Sequence, residues 1–289
     1  MLSQTQARGF ASEKAIKARM KSVNNIAKIT KAMKMVSASK MRGDLQRLEN
    51  GKHFGYNSVD MIFKSDTYLQ KKQVTEASDP KELIVPITSD KGLCGAINSG
   101  IIREIKASMK TKNRARMEIV SIGDKGATAL SRPFPDCLKT AVTGISVPYN
   151  YPTVMALATY INQEAEGTDK IVVYYNQFVS AISQEIRTLE LMPKKKFVDL
   201  MKFGHLYDQE LPDKTTSNPA LYELYLTSNL WVAILNNAAS EQSARMNAME
   251  NASKNAKEIV NALSLQYNKA RQAKITMELC EIISGASAL

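Results

Sequence analysis

The sequence predicts an α/β protein, with a long antiparallel coiled coil of the N- and C-terminal helices plus a central Rossmann-like α/β domain. Two observations predict this arrangement. All nine prolines fall between Pro80 and Pro219, which leaves 79 residues before them and 70 after them free of proline, and a proline costs about 3 kcal/mol inside a helix. Between those ends, short apolar runs alternate with amphipathic stretches, the pattern of a small domain with a mainly parallel sheet.

The C-terminal segment is rich in Ala, Leu, Glu, Met and Lys and has no glycine between Gly204 and Gly285. A helix from Ala220 to Ser284 would run roughly 100 Å at the α-helical rise. It needs a partner along its length or a channel to stand in. Leu235, Met249, Ala256, Leu263, Ala270 and Met277 share one heptad position, and Trp231, Ala238, Ala252, Ile259, Ala273 and Cys280 share a second. Gln242, Arg245 and Gln266 interrupt this seam, and polar seam residues lower stability while fixing register.

The N-terminal segment has a matching stripe: Ile16, Met20, Val23, Ile26, Ile29, Met33 and Val36, continued by Met41, Leu45 and Leu48. Ser12 suits its N-cap, and Gly51 and Gly55 weaken it beyond about Asn50. At roughly 58 Å this helix covers only part of its longer partner. The chain divides into a presequence-like stretch at 1–11, an N-terminal coiled-coil segment at 12–62, the α/β domain at 80–211 and the C-terminal helix at 218–289. Within the α/β domain, strands are expected at 83–88, 117–122 and 170–175, helices near 99–109, 123–131 and 153–164, and a hairpin between 174–179 and 185–191.

The net charge is +11, and residues 1–42 hold ten Lys or Arg against one acid, Glu13. A basic segment of this kind fits an acidic partner surface, a nucleic acid or an anionic membrane, or is a solvated helix face. No apolar run reaches the length of a membrane span. Cys94, Cys137 and Cys280 are widely spaced and only His53 and His205 could join them, so neither a zinc site nor a disulfide framework is expected.

Catalytic readings find little support. The loop Ser89–Gly95 follows a strand and precedes a helix, yet it matches neither GxGxxG nor GxxxxGK[ST]. Cys94 lies near Lys91 but lacks a base in a related context. No acid pair sits in a motif that places two carboxylates about one water apart. Two rival classes remain open from the residues alone: a nucleotide-binding enzyme on the α/β domain, and a basic coiled-coil nucleic-acid binder, whose lysines here lie along an apolar stripe instead of clustering ahead of it.

Three segments carry a family likeness: Ile16–Lys40, the turn Thr88-Ser89-Asp90-Lys91-Gly92-Leu93-Cys94-Gly95, and the stretch from Ser240 to Ala286 that includes Met249–Ala256 and Tyr267–Thr276. Together they resemble the signature segments of the ATP synthase gamma-subunit family, over essentially the whole chain. The resemblance implies a non-catalytic rotor shaft without cofactor or metal, which couples rotation of the c-ring to conformational change in the catalytic beta subunits. It implies as partners the alpha and beta subunits, the epsilon and delta subunits and the c-ring, with no nucleic acid and membrane association only through the complex.

By the same resemblance, Arg271 and Gln272 form a catch on a beta-subunit loop, and Met33 and Lys34 lie near an acidic beta-subunit segment. Lys91 joins these contacts, standing where many members have arginine, so the planar fork is lost. Ala286, Ser287, Ala288 and Leu289 belong to an uncharged tip in the upper bearing, and Tyr207 and Asp208 face the c-ring loops. The regulatory cysteine insertion of the chloroplast type is missing. With the start Arg8-Gly9-Phe10-Ala11-Ser12, that favours the matrix side of the mitochondrial inner membrane over a bacterial origin.

Overall fold

A computed structural model describes residues 13–52, 80–201 and 214–287. Its contacts divide the chain into two compact units, one of Met1–Val36 with Met246–Leu289 and one of Ser37–Arg245. Two long helices, α1 (Glu13–Lys52) and α6 (Lys214–Ser287), contribute to both.

The second unit is built on a five-stranded sheet in the order β3-β2-β1-β4-β5. Strands β1 (Glu82–Pro86), β2 (Met117–Ile122), β3 (Leu138–Val142) and β4 (Lys170–Phe178) pair in parallel, and β5 (Gln184–Leu191) closes the β4 edge antiparallel, with Tyr174 opposite Thr188. The expected hairpin is this β4–β5 pair. The parallel strands are joined by α2 (Ile97–Thr111), α3 (Asp124–Ser131) and α4 (Tyr151–Glu164), and α5 (Lys194–Met201) follows the sheet. Sequence reading found no apolar pattern for β3, whose side chains are all half-buried or exposed, nor for α5, which opens on three lysines.

Period-2 alternation sends the strand side chains to two cores. Leu83, Val85, Val120, Ile171 and Val173 pack with Val154, Leu157 and Ile161 of α4 and with Tyr222, Leu226 and Leu230 of α6. Ile84, Ile119 and Val172 face the other way, onto Ile101, Ile105 and Met109 of α2 and Leu130 of α3. The start of α6 is therefore a layer of the α/β domain as well as a coiled-coil strand. It begins at Lys214 and takes Pro219 into its second turn, so only one backbone bond near the helix start is lost.

In both units the two long helices run antiparallel. In the first, Lys34 meets Glu250 and Glu13 meets Tyr267; in the second, Leu45 and Leu48 pack on Trp231, Leu235 and Ala239. The seam keeps most of the expected stripe, with Ile16, Met20, Val23, Met33, Met41, Leu45 and Leu48 buried or half-buried, and departs from it at three positions. Ile26, Ile29 and Val36 are exposed, and the neighbouring Ala27, Thr30 and Ser37 are buried in their place, with Asp44 and Leu48 continuing at spacings of seven and four. Strict 3.5-residue spacing selects this set, because it keeps one line of side chains facing a supercoiled partner. Ala27, Thr30 and Ser37 are small, so the backbones can approach. Thr30 satisfies its buried hydroxyl on the carbonyls of Ile26 and Ala27, at 3.0 and 3.1 Å.

On α6, Met249, Ala256 and Leu263 are buried as expected and Ala270 is half-buried, but Ile259 is exposed and Val260 takes its place. Gln266, Ala273, Met277 and Cys280 are also exposed, so the seam ends near Ala270 among the described residues. Gly51 is the second-last residue of α1, close to the expected end near Asn50. A Cβ there would sit 2.5 Å from Leu235 Cδ1 and 3.1 Å from Trp231 Nε1, so the glycine permits a close helix crossing.

Gly123 is the tightest point of the sheet. Its φ is +94°, and a Cβ would stand 2.2 Å from the Thr88 carbonyl oxygen, so both backbone strain and a clash with fixed main chain oppose any side chain. Gly123→Ala is expected to cost about 3 kcal/mol or more, read from urea unfolding of the purified chain. A cost below about 1 kcal/mol would contradict this packing.

Candidate partner-contact surfaces

In the first unit, α1 presents a row of lysines with almost no acid beside it. Among them, Lys34 is half-buried and its ammonium lies 3.0 Å from Glu250, a bond that holds the Glu250 carboxyl below its ordinary value. Met33, also half-buried, borders the seam. The exposed Ile26, Ile29, Met35 and Val36 give the same helix an apolar surface outside the seam. Apolar and basic side chains thus share the solvent side of α1, a composition suited to a partner with both apolar and acidic groups.

On α6, every residue from Arg271 to Ser287 is exposed. Arg271 and Gln272 sit at the start of this stretch, and the Gln272 carbonyl accepts a bond from Thr276 Oγ1 at 3.0 Å. Ile275, Met277, Leu279, Ile282 and Ile283 follow, all large and apolar. Ala286 and Ser287 continue it, whereas Ala288 and Leu289 lie outside the described residues, as do Tyr207, Asp208 and the stretches 1–11 and 53–62. Arg271, Gln272, Met33 and Lys34 belong to the first unit and Lys91 to the second.

The second unit holds the glycine turn. Thr88 Oγ1 accepts from Gly126 N at 2.9 Å, Asp90 Oδ1 from Asp124 N at 3.0 Å, and the Ser89 carbonyl from Lys125 N at 3.2 Å. These bonds occupy N–H groups that a phosphate would need at the start of α3. Asp90 Oδ2 also accepts from Gly144 N at 3.0 Å. At the junction of β1 and β4, where doubly wound sheets receive ligands, α6 itself is bound: Asn237 Oδ1 accepts from Asn176 Nδ2 at 2.9 Å, and Ser240 Oγ donates to the Asn176 carbonyl at 3.2 Å. These bonds tie α6 to the carboxyl end of β4 at that junction.

The loop is pinned from two sides. Cys94, 2% exposed, has its sulfur 3.2 Å from Asn98 Nδ2 and 3.6 Å from Ser89 Oγ. From α6, the Arg245 guanidinium reaches the carbonyls of Lys91 and Gly92 at 3.3 to 3.5 Å and pairs with Glu241 at 2.6 Å. Lys91 and Leu93 are left exposed, Leu93 at 63% and with φ of +64°. Sequence reading placed Arg245 only as a polar interruption of the seam. Its spacing of four from Glu241 is the signal that could have paired them.

Asp44 of α1, 7% exposed, adds a third buried polar group, bonded to Arg47 Nη1 at 2.8 Å. Burial pushes its carboxyl above the ordinary value, against the pull of Arg47 and Lys40. Glu241 is likewise raised by burial, against Arg245 and with help from Asp44 and Asp90. Tyr149 is raised by burial and by the charges of Glu241, Asp90 and Asp44, which places these groups in one electrostatic neighbourhood.

A raised carboxyl binds its proton more tightly in the folded chain, so its contribution to stability is full below the unfolded value near ~4 and is lost as pH rises through the folded value. Asp44→Asn should therefore stabilise the chain at about pH 7, with a gain that shrinks towards pH ~4. Urea unfolding across that range checks it. A difference that stays constant or grows in acid would contradict the raised value.

A family model described as ATP synthase matches residues 12–289. The mitochondrial ATP synthase gamma subunit of Drosophila melanogaster is 36% identical over 290 residues, covering 100% of this chain and 94% of that protein. The corresponding subunit of Saccharomyces cerevisiae is 35% identical over 287 residues, covering 98% and 90%. Among solved structures, a chain in the central stalk and c-ring of Tetrahymena thermophila mitochondrial ATP synthase superposes with a TM-score of 0.71 at 44% identity, covering 78% of this chain and 99% of that one. A chain of the Euglena gracilis mitochondrial enzyme, at 22% identity and a TM-score of 0.75, shares the fold over 97% of this chain and 95% of its own length.

Proposed function

The chain belongs to the ATP synthase gamma-subunit family, the central stalk of that enzyme, and we propose that it couples proton-driven rotation of the c-ring to sequential conformational changes in the catalytic beta subunits. The observation that carries this reading is the stretch Arg271–Ser287, exposed throughout and bearing five large apolar side chains. Such a surface calls for cover by another protein. The ring of alpha and beta subunits supplies it, with Ala286, Ser287, Ala288 and Leu289 in an uncharged bearing.

Three chemically identical catalytic sites can differ only if something binds their conformations differently. A shaft without threefold symmetry does so. A shift of a few thousandfold in site affinity needs about 5 kcal/mol of differential contact, within reach of several charged and packed contacts together. Arg271 and Gln272 supply the catch, Arg271 through a fork suited to a carboxylate. Met33 and Lys34 meet the acidic beta-subunit segment, where Lys34 exchanges or shares its bond with Glu250. Lys91 adds a point charge from the α/β domain.

The chain itself is non-catalytic and takes no cofactor. In support, α6 is bonded to the end of β4 at the switch point and the α3 N–H groups named above are used internally. Among the described residues no helix is long and apolar enough to cross a membrane. The chain reaches the membrane through the c-ring, beside the epsilon and delta subunits, with Tyr207 and Asp208 at the foot. Mitochondrial gamma subunits are among its relatives, which supports that organelle, and the matrix side of the inner membrane is the working position.

Co-purification tests the assignment: the tagged chain should bring down alpha and beta subunits with one copy of itself per hexamer. Recovery without them would overturn it. Within the assembled enzyme, Arg271→Ala should lower turnover roughly tenfold, the worth of a hydrogen bond to a charged group. Unchanged ATP hydrolysis and unchanged proton pumping would remove the catch. Deleting Ala286–Leu289 should be mild, and total loss of assembly would argue against a simple bearing.

A further inference from the structure

The Ser89–Gly95 loop faces two demands at once. Leu93 and Gly95 both hold φ of +64°, and for a leucine that backbone is disfavoured unless its surroundings fix it. Yet Leu93 and Lys91 project into solvent, and their side chains cannot supply the fixing contacts. What holds the loop on the α6 side is main chain bound to one side chain: Arg245 Nη2 to the Lys91 carbonyl at 3.3 Å, and Nη2 and Nε to the Gly92 carbonyl at 3.4 and 3.5 Å. Arg245 is buried on α6 and cannot swing free, because Glu241, one turn earlier, holds the same Nη2 at 2.6 Å. The guanidinium carries donors on separate nitrogens of one plane, so Nη2 and Nε together can serve a carboxylate and two successive carbonyls.

We propose that Arg245, oriented by Glu241, is a positioning residue that clamps the Ser89–Gly95 loop to α6, so that the loop moves with that helix and presents Lys91 and Leu93 at fixed places. The functional half of this inference rests on the reading of Lys91 as a beta-subunit contact. The clamp itself does not. A loop free to yield would absorb a push as local motion, whereas a clamped one passes it to the helix.

The test uses the assembled ATP synthase and reads the loop directly through Cys94, the thiol sealed beneath it. Its rate of modification by a small maleimide reports loop opening, and Cys137, buried between β2 and β3, is the internal control. Arg245→Ala should raise the Cys94 rate about tenfold or more with Cys137 unchanged. Glu241→Gln, which keeps the shape and removes the charge, should raise it by a smaller factor. Arg245→Lys should fall between alanine and the parent, since it keeps the charge and loses the fork. An unchanged Cys94 rate in both Arg245→Ala and Glu241→Gln, or an equal rise at Cys137, would overturn the clamp.

The second readout is ATP-driven proton pumping per ATP hydrolysed. Arg245→Ala and Lys91→Ala should each lower it, and the double variant should match Lys91→Ala alone, because the clamp acts through the side chain it presents. Multiplying losses would overturn the link to Lys91. A normal Lys91→Ala enzyme with an opened Cys94 would remove the partner reading of Lys91 and leave the clamp standing.

Discussion

The antiparallel contact between α1 and α6 is the constraint from which the rest of the structure follows. Ala27, Thr30 and Ser37 on α1, and Ala256 on α6, are small enough for two backbones to approach, and Gly51 extends the same rule to the crossing beside Trp231 and Leu235. A seam of small residues gains less from apolar burial than one of leucines. It gains fixed register instead, through polar groups that must find their partners. It also turns larger apolar side chains outward, Ile26, Ile29 and Val36 among them, where they are available to other subunits.

The α/β domain answers to the same helix. Tyr222, Leu226 and Leu230 of α6 cover one face of the sheet, and Asn237 and Ser240 bond Asn176 on β4. A doubly wound sheet of this kind offers its carboxyl-end crevice to ligands, and here a helix of the same chain is bonded to the end of β4 beside it. An architecture familiar from nucleotide binding thus serves as an anchor. The buried carboxyls of Asp44 and Glu241, each facing an arginine, show what the anchoring costs: charges are kept out of water to fix one geometry.

Much of this was legible in the sequence, and the misses have physical causes. Proline placement located the long helices because it reports on backbone geometry, which no partner can override cheaply. Strands β1, β2 and β4 were visible as apolar runs because both their faces are buried; β3, with side chains half in solvent, was not. Three seam positions were misread because Ile26, Ile29 and Val36 outweigh Ala27, Thr30 and Ser37 in hydrophobicity, while the partner selects for spacing and size. On α6, Ile259 and Val260 are equally apolar neighbours, and only the facing helix chooses between them. Arg245 looked like a defect in a coiled coil until Lys91 and Gly92, about 150 residues away in sequence, were brought beneath it.

The account stands on the claim that this chain turns as a shaft whose unlike faces meet three like catalytic sites in succession. Single-molecule observation tests it most directly: the alpha and beta subunits are fixed to a surface, a probe is attached to the α/β domain, and ATP is supplied. The account predicts rotation in one direction with pauses at three equivalent orientations per turn. Steady ATP hydrolysis with the probe stationary would contradict it.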